Sequence, residues 1–346
     1  MFPYSGVFPD LKEDVRAAFA LGMKDVPFTI LETFIQSGEQ KQVEEGLNKL
    51  LFFDRVDLAL GIVENGITLA CLPIIQKYGT PVLINNVGAC APKASLSAPN
   101  LFYNSLHLWK SEWAMGKWSQ ETYGGVPSIG MSIYEAGYQM HDCFRLGAGS
   151  GGAESVTFNI LKNMGGPIDT SPLLEYLEEQ RPVHTHALLS GNEAIEFVRL
   201  FRDSPFSQSI ILTAHPFVDA SLTYAATWAP SLPGEANRAF CSQFSTPPHA
   251  FMLLAYECGL AVAAAVKSIT GHVTRDTLRS ALNDVRPVGP RGAIALSTQP
   301  LQARQAVYLF REGRFSGELP ALHWDDPIIL STGDNLSGWV NPYLCV

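Results

Sequence analysis

The sequence is short of positive charge. Its 24 Lys and Arg residues are outnumbered by 33 Asp and Glu residues, which gives a net charge of −9. We find no cluster of basic residues longer than a pair. A protein that binds nucleic acid needs a basic surface to neutralise the phosphates, so we expect no nucleic-acid partner.

Long apolar runs are also absent. A membrane-spanning helix needs about 18 or more consecutive apolar residues, and the longest candidate, GLAVAAAVKSI from Gly259, is shorter and indicates a buried helix. The opening MFPYSGVFPD lacks the charged segment and apolar core of a secretory signal. We therefore expect no direct membrane span, and the compartment stays open at this point.

Metal-binding patterns are missing from the cysteines and histidines. The six cysteines are scattered, without CxxC and without a His-x3-His partner, so we expect no zinc site and no other metal. Buried free thiols are the simplest interpretation, since free Cys behaves as a small hydrophobic residue. A single disulfide between Cys71 and Cys90 is the alternative.

The usual enzyme motifs are missing as well. GAGSGGAES at 147–155 has spaced glycines, but it follows a predicted helix and precedes a predicted strand. A dinucleotide fingerprint needs the strand first and the helix second. GxSxG and HExxH do not occur. We expect no enzyme and no organic cofactor.

What the sequence does contain is an alternation of apolar strands and helices, in a chain of 346 residues that is long enough for two domains. Strands are predicted at 26–35, 56–63, 81–87, 127–134, 155–161, 185–191 and 207–215, with a hairpin at 307–315 that turns at Glu312–Gly313. Helices are predicted at 11–23, 38–53, 67–79, 138–146, 173–180, 192–203, 248–269 and 272–285. The helix at 192–203 is predicted to be capped by Asn192 or the preceding glycine, and the helix at 272–285 by a threonine.

The alternation restarts after Trp118, which predicts two doubly wound α/β domains with mostly parallel sheets. Only MFPYSG precedes the first helix, although the first strand of such a sheet is usually central. Either that strand is very short or the chain starts later than the natural product, and we favour the second interpretation. The tail from 316 to 346 shows no clear period.

The order of these segments resembles the type 1 periplasmic solute-binding proteins, especially the branched-chain amino-acid-binding group. The resemblance covers most of residues 4 to 315 and rests on YSG, KLLFFDRVDLALGIVENGITLACLPIIQKYGTPVLINN, FSTPPHAFMLLAYECGLAVAAAV and GPRGAIALSTQPLQARQAVYLFREGRF. It implies an α/β fold of two doubly wound, Rossmann-like lobes joined by a three-strand hinge. It places 1–115 and 246–302 in lobe 1, and 116–245 and 303–346 in lobe 2.

The resemblance also implies a function. A small-molecule ligand is held in the cleft between the lobes, hinge motion closes the lobes, and the loaded protein delivers its ligand to ABC permease subunits. We therefore expect a monomer that is periplasmic or lipid-anchored outside the cytoplasm. The alternative is a ligand-sensing regulator or receptor domain of the same fold that acts through a partner protein.

In lobe 1, GIVENG at 61–66 and INNVGA at 84–89 end consecutive strands, where open α/β sheets bind ligands. The resemblance places Glu64 on the serine that amino-acid binders use for the ligand carboxylate, and a carboxylate there would repel that group. Alternatively, Glu64 caps the following helix and points to solvent. The other ligand contacts predicted in this lobe are Phe8, Asn65, Asn85, Asn86, Gly88 and Ala89, with the paired asparagines as turn residues in the alternative interpretation.

In lobe 2, the resemblance suggests ligand contacts at Tyr134, Tyr138, Asn192, His215 and Phe217, with Ser190 and Gly191 beside Asn192 and with Trp228 at the cleft or hinge. His215 stands near the position of an acid in amino-acid binders, and a hydrogen-bonded structural histidine is the alternative. We therefore predict a small polar ligand that is neutral, cationic or hydroxyl-rich at the Glu64 end. A standard branched-chain amino acid does not fit these residues.

Overall fold

The computed structural model describes residues 1–162, 167–320, 339 and 341–345. Its strands are β1 (Ala59–Ile62), β2 (Val82–Asn86), β3 (Leu101–Ser105), β4 (Ser128–Ser132), β5 (Thr157–Leu161), β6 (His184–Leu188), β7 (Ile211–Ala214), β8 (Tyr224–Ala226), β9 (Val288–Gly289), β10 (Gly292–Ala293), β11 (Val307–Arg311) and β12 (Arg314–Leu319). Its α-helices are α1 (Leu11–Gly22), α2 (Gln40–Asn48), α3 (Asn65–Ala70), α4 (Leu72–Tyr78), α5 (Leu108–Tyr123), α6 (Ile133–Ala136), α7 (Met140–Ser150), α8 (Ser171–Gln180), α9 (Gly191–Asp203), α10 (Glu235–Cys241), α11 (Ala250–Ser268) and α12 (Arg275–Asp284).

The chain divides into two compact units. Unit 1 comprises Met1–Leu106, Leu232–Ala303 and Trp339–Val346, and unit 2 comprises His107–Ser231 and Arg304–Gly338. The predicted α/β fold with parallel sheets is confirmed. The three-strand hinge stays a prediction.

The bounds of the units differ from those of the predicted lobes because of how three segments pack. Helix α5 belongs to unit 2, where it packs closely on α7. Helix α10 belongs to unit 1, where Phe240 stacks on Tyr256 with ring centroids 4.7 Å apart. The described end of the chain is tied to unit 1 by a hydrogen bond from Ser5 Oγ to the Leu344 carbonyl. Most of the aperiodic tail lies outside the described residues.

In unit 1, the parallel sheet has the order β1-β2-β3. All the residues of β2 and β3 are buried, as is typical of parallel strands covered on both faces. Helix α11 covers this sheet and also packs on α1. By length and composition α11 could cross a membrane, but 72% of its apolar window is buried, so it serves unit 1 as a core helix.

In unit 2, the parallel sheet has the order β5-β4-β6-β7. Helices α8 and α9 cover it with a core of large apolar side chains that includes Leu173, Phe197 and Phe201. A second, antiparallel sheet has the order β12-β11-β8, and its hairpin turns at Glu312 and Gly313 as predicted.

Three sequence predictions of local structure were wrong. The strand at 26–35 is not formed: residues 27–32 are exposed and, among the described residues, pair with no strand, and Phe34 alone of this segment makes an isolated bridge, with Phe2. The helix at 67–79 is split at Cys71 into α3 and α4, since Pro73 has no N–H with which to continue the first helix. The cap of α9 is Ser190 rather than Asn192 or Gly191.

Candidate functional site

The loops that follow β1, β2 and β3 lie side by side at one edge of the unit 1 sheet. Ile62 pairs with Asn85, and Asn86 pairs with Ser105, so the three parallel strands end at the same level. The residues just beyond these strand ends therefore come together. We call Glu64, Asn65, Asn85, Asn86 and Gly88–Cys90 the unit 1 loop cluster.

Glu64 caps α3 and is buried. Its carboxylate accepts a hydrogen bond from the Gly66 N–H, and its residue is only 8% exposed. Burial raises the pKa of Glu64 to about 7. Hydrogen bonds from the Gly66 and Asn65 backbone and from Cys90 act in the opposite direction and lower this pKa. The predicted helix cap is confirmed, whereas the expectation that such a cap points to solvent was wrong.

Asn65 and Asn86 bond the three loops to one another. Asn65 Nδ2 donates to the Cys90 carbonyl at 2.9 Å, and Asn65 Oδ1 accepts from Asn86 Nδ2 at 2.9 Å. Asn86 Nδ2 also donates to the Val63 carbonyl at 3.1 Å, and Asn86 Oδ1 accepts from Ser105 Oγ at 2.8 Å. These amides hold the loops in place, and their contact with a ligand stays a prediction.

Asn85 contacts the interior of unit 1. Its Oδ1 accepts a hydrogen bond from Cys258 Sγ of α11 at 3.1 Å. Within the described part of the chain, its buried Nδ2 has no partner. Gly88 follows with a φ of +71°, which favours glycine, and the buried Ala89 comes next.

Phe8, the remaining residue predicted in this lobe, lies in an aromatic cluster of unit 1. Its ring stacks on His249 with centroids 4.3 Å apart and meets Phe251 edge-on at 5.9 Å. His249 Nε2 is 3.1 Å from Asp14 Oδ2. Phe8 is half-buried, so part of its ring is accessible.

In unit 2, the loops after β4 and β6 are joined through Glu135, which the sequence reasoning missed. Ser190 Oγ donates to Glu135 Oε1 at 2.6 Å, and Ser132 Oγ donates to Glu135 Oε2. Glu135 is fully buried. The signal that could have found it is the capping pattern S-x-x-E in SIYE at 132–135, with Ser132 as the N-cap of α6.

The two predicted tyrosines of unit 2 are neighbours. Tyr138 OH donates to Tyr134 OH at 3.1 Å, with the rings edge-on. Tyr138 is almost completely buried and Tyr134 is half-buried, so Tyr134 presents the more accessible ring. Asn192 is exposed in the first turn of α9.

His215 is a buried, neutral histidine. Its Nδ1 accepts a hydrogen bond from the Phe217 N–H at 3.0 Å, so the ring proton is on Nε2. Burial lowers the pKa of His215 to about 3. This is the hydrogen-bonded histidine of the alternative interpretation, with the half-buried Phe217 beside it. Trp228 is also buried.

A second buried polar group of unit 2 was also missed. His186 Nε2 is 2.8 Å from Glu112 Oε2, and His186 Nδ1 is 3.0 Å from Thr213 Oγ1. Burial raises the pKa of Glu112 and lowers that of His186 to about 3, so the pair shares one proton without net charge. The stacking of His186 on Phe144 at 4.1 Å makes this pair a part of the core.

The cysteines and the described acidic residues were compared with the requirements of a disulfide and of a metal site. All six cysteines are free thiols, so the Cys71–Cys90 disulfide is not formed. Over the residues that the structure describes, no three His, Cys, Asp or Glu side chains are grouped to hold a metal ion.

Comparison with solved structures shows the same fold. A solute-binding protein of an ABC transporter from R. palustris, in complex with benzoate, is 22% identical with a TM-score of 0.73, covering 95% of this chain and 97% of its own. An ABC transporter substrate-binding protein from Sphaerobacter thermophilus is 19% identical with a TM-score of 0.75, over 93% and 96% of the two chains.

A third similar structure is the branched-chain amino acid transporter substrate-binding protein LivJ from Streptococcus pneumoniae, in complex with isoleucine. It is 14% identical with a TM-score of 0.70, over 93% of this chain and 98% of its own. No match was found among curated proteins. The family model described as periplasmic binding protein matches residues 2–314. This chain therefore belongs to the periplasmic binding protein family.

Proposed function

We propose that the protein is an extracytoplasmic solute-binding protein that captures a small polar ligand and delivers it to an ABC-type permease. Membership of the periplasmic binding protein family supports this function, as do the similar structures, which are solute-binding proteins of ABC transporters. We expect the protein to act as a monomer and to bind its ligand without catalytic turnover. The position of the ligand between the two lobes, and their closure around it, stay predictions.

The proposed class of ligand rests on the position of the Glu64 carboxylate. It already accepts the Gly66 N–H at the start of α3, inside a buried loop cluster. A ligand carboxylate brought to the same N–H group would compete with an acid of the protein and, where Glu64 is ionised, would be repelled by it. The acid thus fills the place that a ligand carboxylate would need.

Two of the similar proteins bind benzoate and isoleucine, which both carry a carboxylate. We infer that this protein differs from them in the group it takes at the unit 1 loop cluster. Its ligand presents a neutral, hydroxyl-rich or cationic group there, and we expect a ligand other than a standard branched-chain amino acid. In unit 2, the accessible candidates for ligand contact are Tyr134, Asn192 and Phe217, whereas Tyr138 and His215 support them from below the surface.

The experiment combines a ligand screen with one substitution. A thermal-shift screen can test amino acids, amides, sugars and aromatic acids, because a ligand that binds only the native state raises the melting temperature. We expect the ligand it finds to have no carboxylate at the end that lies near Glu64. Calorimetry should detect no binding of leucine, isoleucine or benzoate. Glu64→Ser removes the carboxylate that competes for the Gly66 N–H and repels an anionic ligand, and it should allow at least one of these acids to bind.

Glu39→Ser is the matched control, because Glu39 caps α2 at an exposed position. It should leave binding of every compound unchanged. Tight binding of leucine or valine by the unaltered protein, with the same affinity in Glu64→Ser, would show that Glu64 does not set the ligand class.

A further inference from the structure

Arg291 lies in a turn, but its side chain is buried. Strands β9 and β10 pair with Gly289 opposite Gly292, so Pro290 and Arg291 form the turn between them. Turn residues usually lie at the surface, whereas the Arg291 side chain is only 7% exposed. A Cβ added at Gly289 would lie 3.4 Å from Cγ of Glu257, so the hairpin packs directly against α11.

The Arg291 guanidinium joins α11 to the end of β3. Its Nε donates to Glu257 Oε1 at 3.0 Å, and the Glu257 side chain is 1% exposed. Its Nη1 donates to the Ser105 carbonyl at 2.9 Å, and its Nη2 donates to Asn104 Oδ1 at 2.6 Å. Arginine suits this position because its donors have a fixed planar arrangement. We call Asn104, Ser105, Glu257 and Arg291 the Arg291 clamp.

Helix α11 holds β2 and β3 at matching positions. Asn104 Nδ2 donates to Glu257 Oε2 at 3.1 Å. The next residue of the helix, Cys258, donates from Sγ to Asn85 Oδ1 at 3.1 Å. Asn85 of β2 and Asn104 of β3 are paired in the sheet. Two consecutive residues of α11 therefore bind two neighbouring strands just before their ends.

Ser105 connects the Arg291 clamp to the unit 1 loop cluster. Its carbonyl accepts from Arg291, and its hydroxyl donates to Asn86 Oδ1 at 2.8 Å. Asn86 Nδ2 in turn donates to the Val63 carbonyl and to Asn65 Oδ1. A continuous series of hydrogen bonds thus runs from Arg291 to the loops after β1 and β2.

This series fixes the orientation of the Asn86 amide. A half-turn of the amide would bring Oδ1 of Asn86 against the Val63 carbonyl, and two acceptors cannot bond to each other. A buried ion pair such as Arg291 with Glu257 adds little net stability over apolar packing, because desolvation offsets the attraction between the charges. What this pair provides is a fixed position for the end of β3.

We propose that Arg291 is a positioning residue of the unit 1 loop cluster. Held by Glu257, it fixes Ser105, and the Ser105 hydroxyl fixes Asn86 and the loops that Asn86 joins. Its consequence for binding rests on the function proposed above, in which these loops contact the ligand. Loops that are already ordered bind with a smaller entropy cost.

Nuclear magnetic resonance of protein with isotope-labelled asparagine tests this assignment without any ligand. Arg291→Lys keeps a positive charge beside Glu257 but loses the planar set of donors. It should shift the side-chain amide resonances of Asn65 and Asn86. It should also speed hydrogen exchange of the Asn86 Nδ2 protons about fivefold, as expected for the loss of about one hydrogen bond.

Ser105→Ala cuts the series at one hydroxyl and leaves the ion pair in place. It should cause a similar change in the Asn86 amide. In the double variant, Arg291→Lys should add nothing to the effect of Ser105→Ala on Asn86, because the connection is already broken. Equal, additive effects of the two changes on Asn86 would overturn the proposal, since each would then act through overall stability.

Two matched controls lie in the same unit. Arg275→Lys alters an exposed arginine that donates to the Arg55 carbonyl, and Ser268→Ala removes a hydroxyl of α11 that donates to the Ala265 carbonyl. Neither should move the Asn86 resonance. Unmoved Asn86 resonances in Arg291→Lys would also overturn the proposal. Both results are independent of which ligand the protein binds, so they can fail while the proposed function holds.

Discussion

Replacing Glu64 by Gln should stabilise unit 1 at pH 8 and leave its stability nearly unchanged at pH 4. In the folded protein the Glu64 carboxyl has a pKa of about 7, whereas its ordinary pKa is 4.5. Between these values the unfolded chain releases this proton and the folded chain keeps it. The stability contributed by Glu64 is therefore complete below pH 4.5, falls as pH rises to 7, and stays low above that.

The size of the effect follows from the same difference. A raised pKa from 4.5 to about 7 is 2.5 pH units, which at 1.36 kcal/mol per unit is about 3 kcal/mol. Gln keeps an oxygen that can accept the Gly66 N–H but carries no charge to bury. We expect a gain of about 2–3 kcal/mol at pH 8, slightly below the full value because an amide accepts less strongly than a carboxylate.

The assay is urea unfolding of the protein and of Glu64→Gln at steps from pH 4 to pH 8 and constant ionic strength. Glu39→Gln, an exposed helix cap in the same unit, should show no gain that grows with pH. The difference between Glu64→Gln and the unaltered protein cancels all other titrating groups. A gain that is the same at every pH, or that shrinks as pH rises, would refute the reasoning from burial.

Two further predictions concern close packing and the buried ion pair. Gly147→Ala should destabilise unit 2 by about 1–3 kcal/mol in urea unfolding, because an added Cβ would lie 2.0 Å from a carbonyl oxygen of α5. Gly149→Ala in the same helix meets open space and should stabilise by up to about 1 kcal/mol, so equal effects of the two would contradict the packing of α5 on α7. Arg291→Met leaves the buried Glu257 without the guanidinium that donates to it at 3.0 Å, and should cost about 3–5 kcal/mol. Arg199→Met, in an exposed pair, should leave the melting temperature unchanged, and a similar small effect of Arg291→Met would mean that Glu257 is solvated.

Much of the fold could be predicted because its pattern is repeated along the chain. Helices with one apolar stripe, such as α9, and helices with an evident cap, such as α12 with Thr274, begin and end close to their predicted bounds. Helix α5 escaped prediction because it is buried on most of its sides, which removes the helical stripe. Strand β3 escaped for the related reason that all five of its residues are buried.

The candidate site could be predicted as a position, but not as a set of hydrogen bonds. Strand ends can be read from the sequence, and the loops after β1 and β2 do meet at one sheet edge. The sequence could not show that Asn65 and Asn86 bond to each other, since they lie 21 residues apart. For the same reason it could not show that Ser190 reaches Glu135 across unit 2. Such pairs depend on strand order and register, which local patterns leave open.

Two buried groups of unit 1 have opposite effects on how its stability depends on pH, so their contributions can cancel. The Met1 amine has its pKa lowered from 8.0 to about 5, so the folded protein binds this proton less tightly than the unfolded chain does. Its contribution to stability therefore increases as pH rises from 5 to 8. The contribution of Glu64 decreases from 4.5 to 7. Over pH 5 to 7 the two slopes largely cancel, so a flat stability profile of the unaltered protein would be no sign that its buried groups titrate normally. Acetylation of Met1 removes one slope and Glu64→Gln removes the other, and each change should expose the remaining slope with opposite sign.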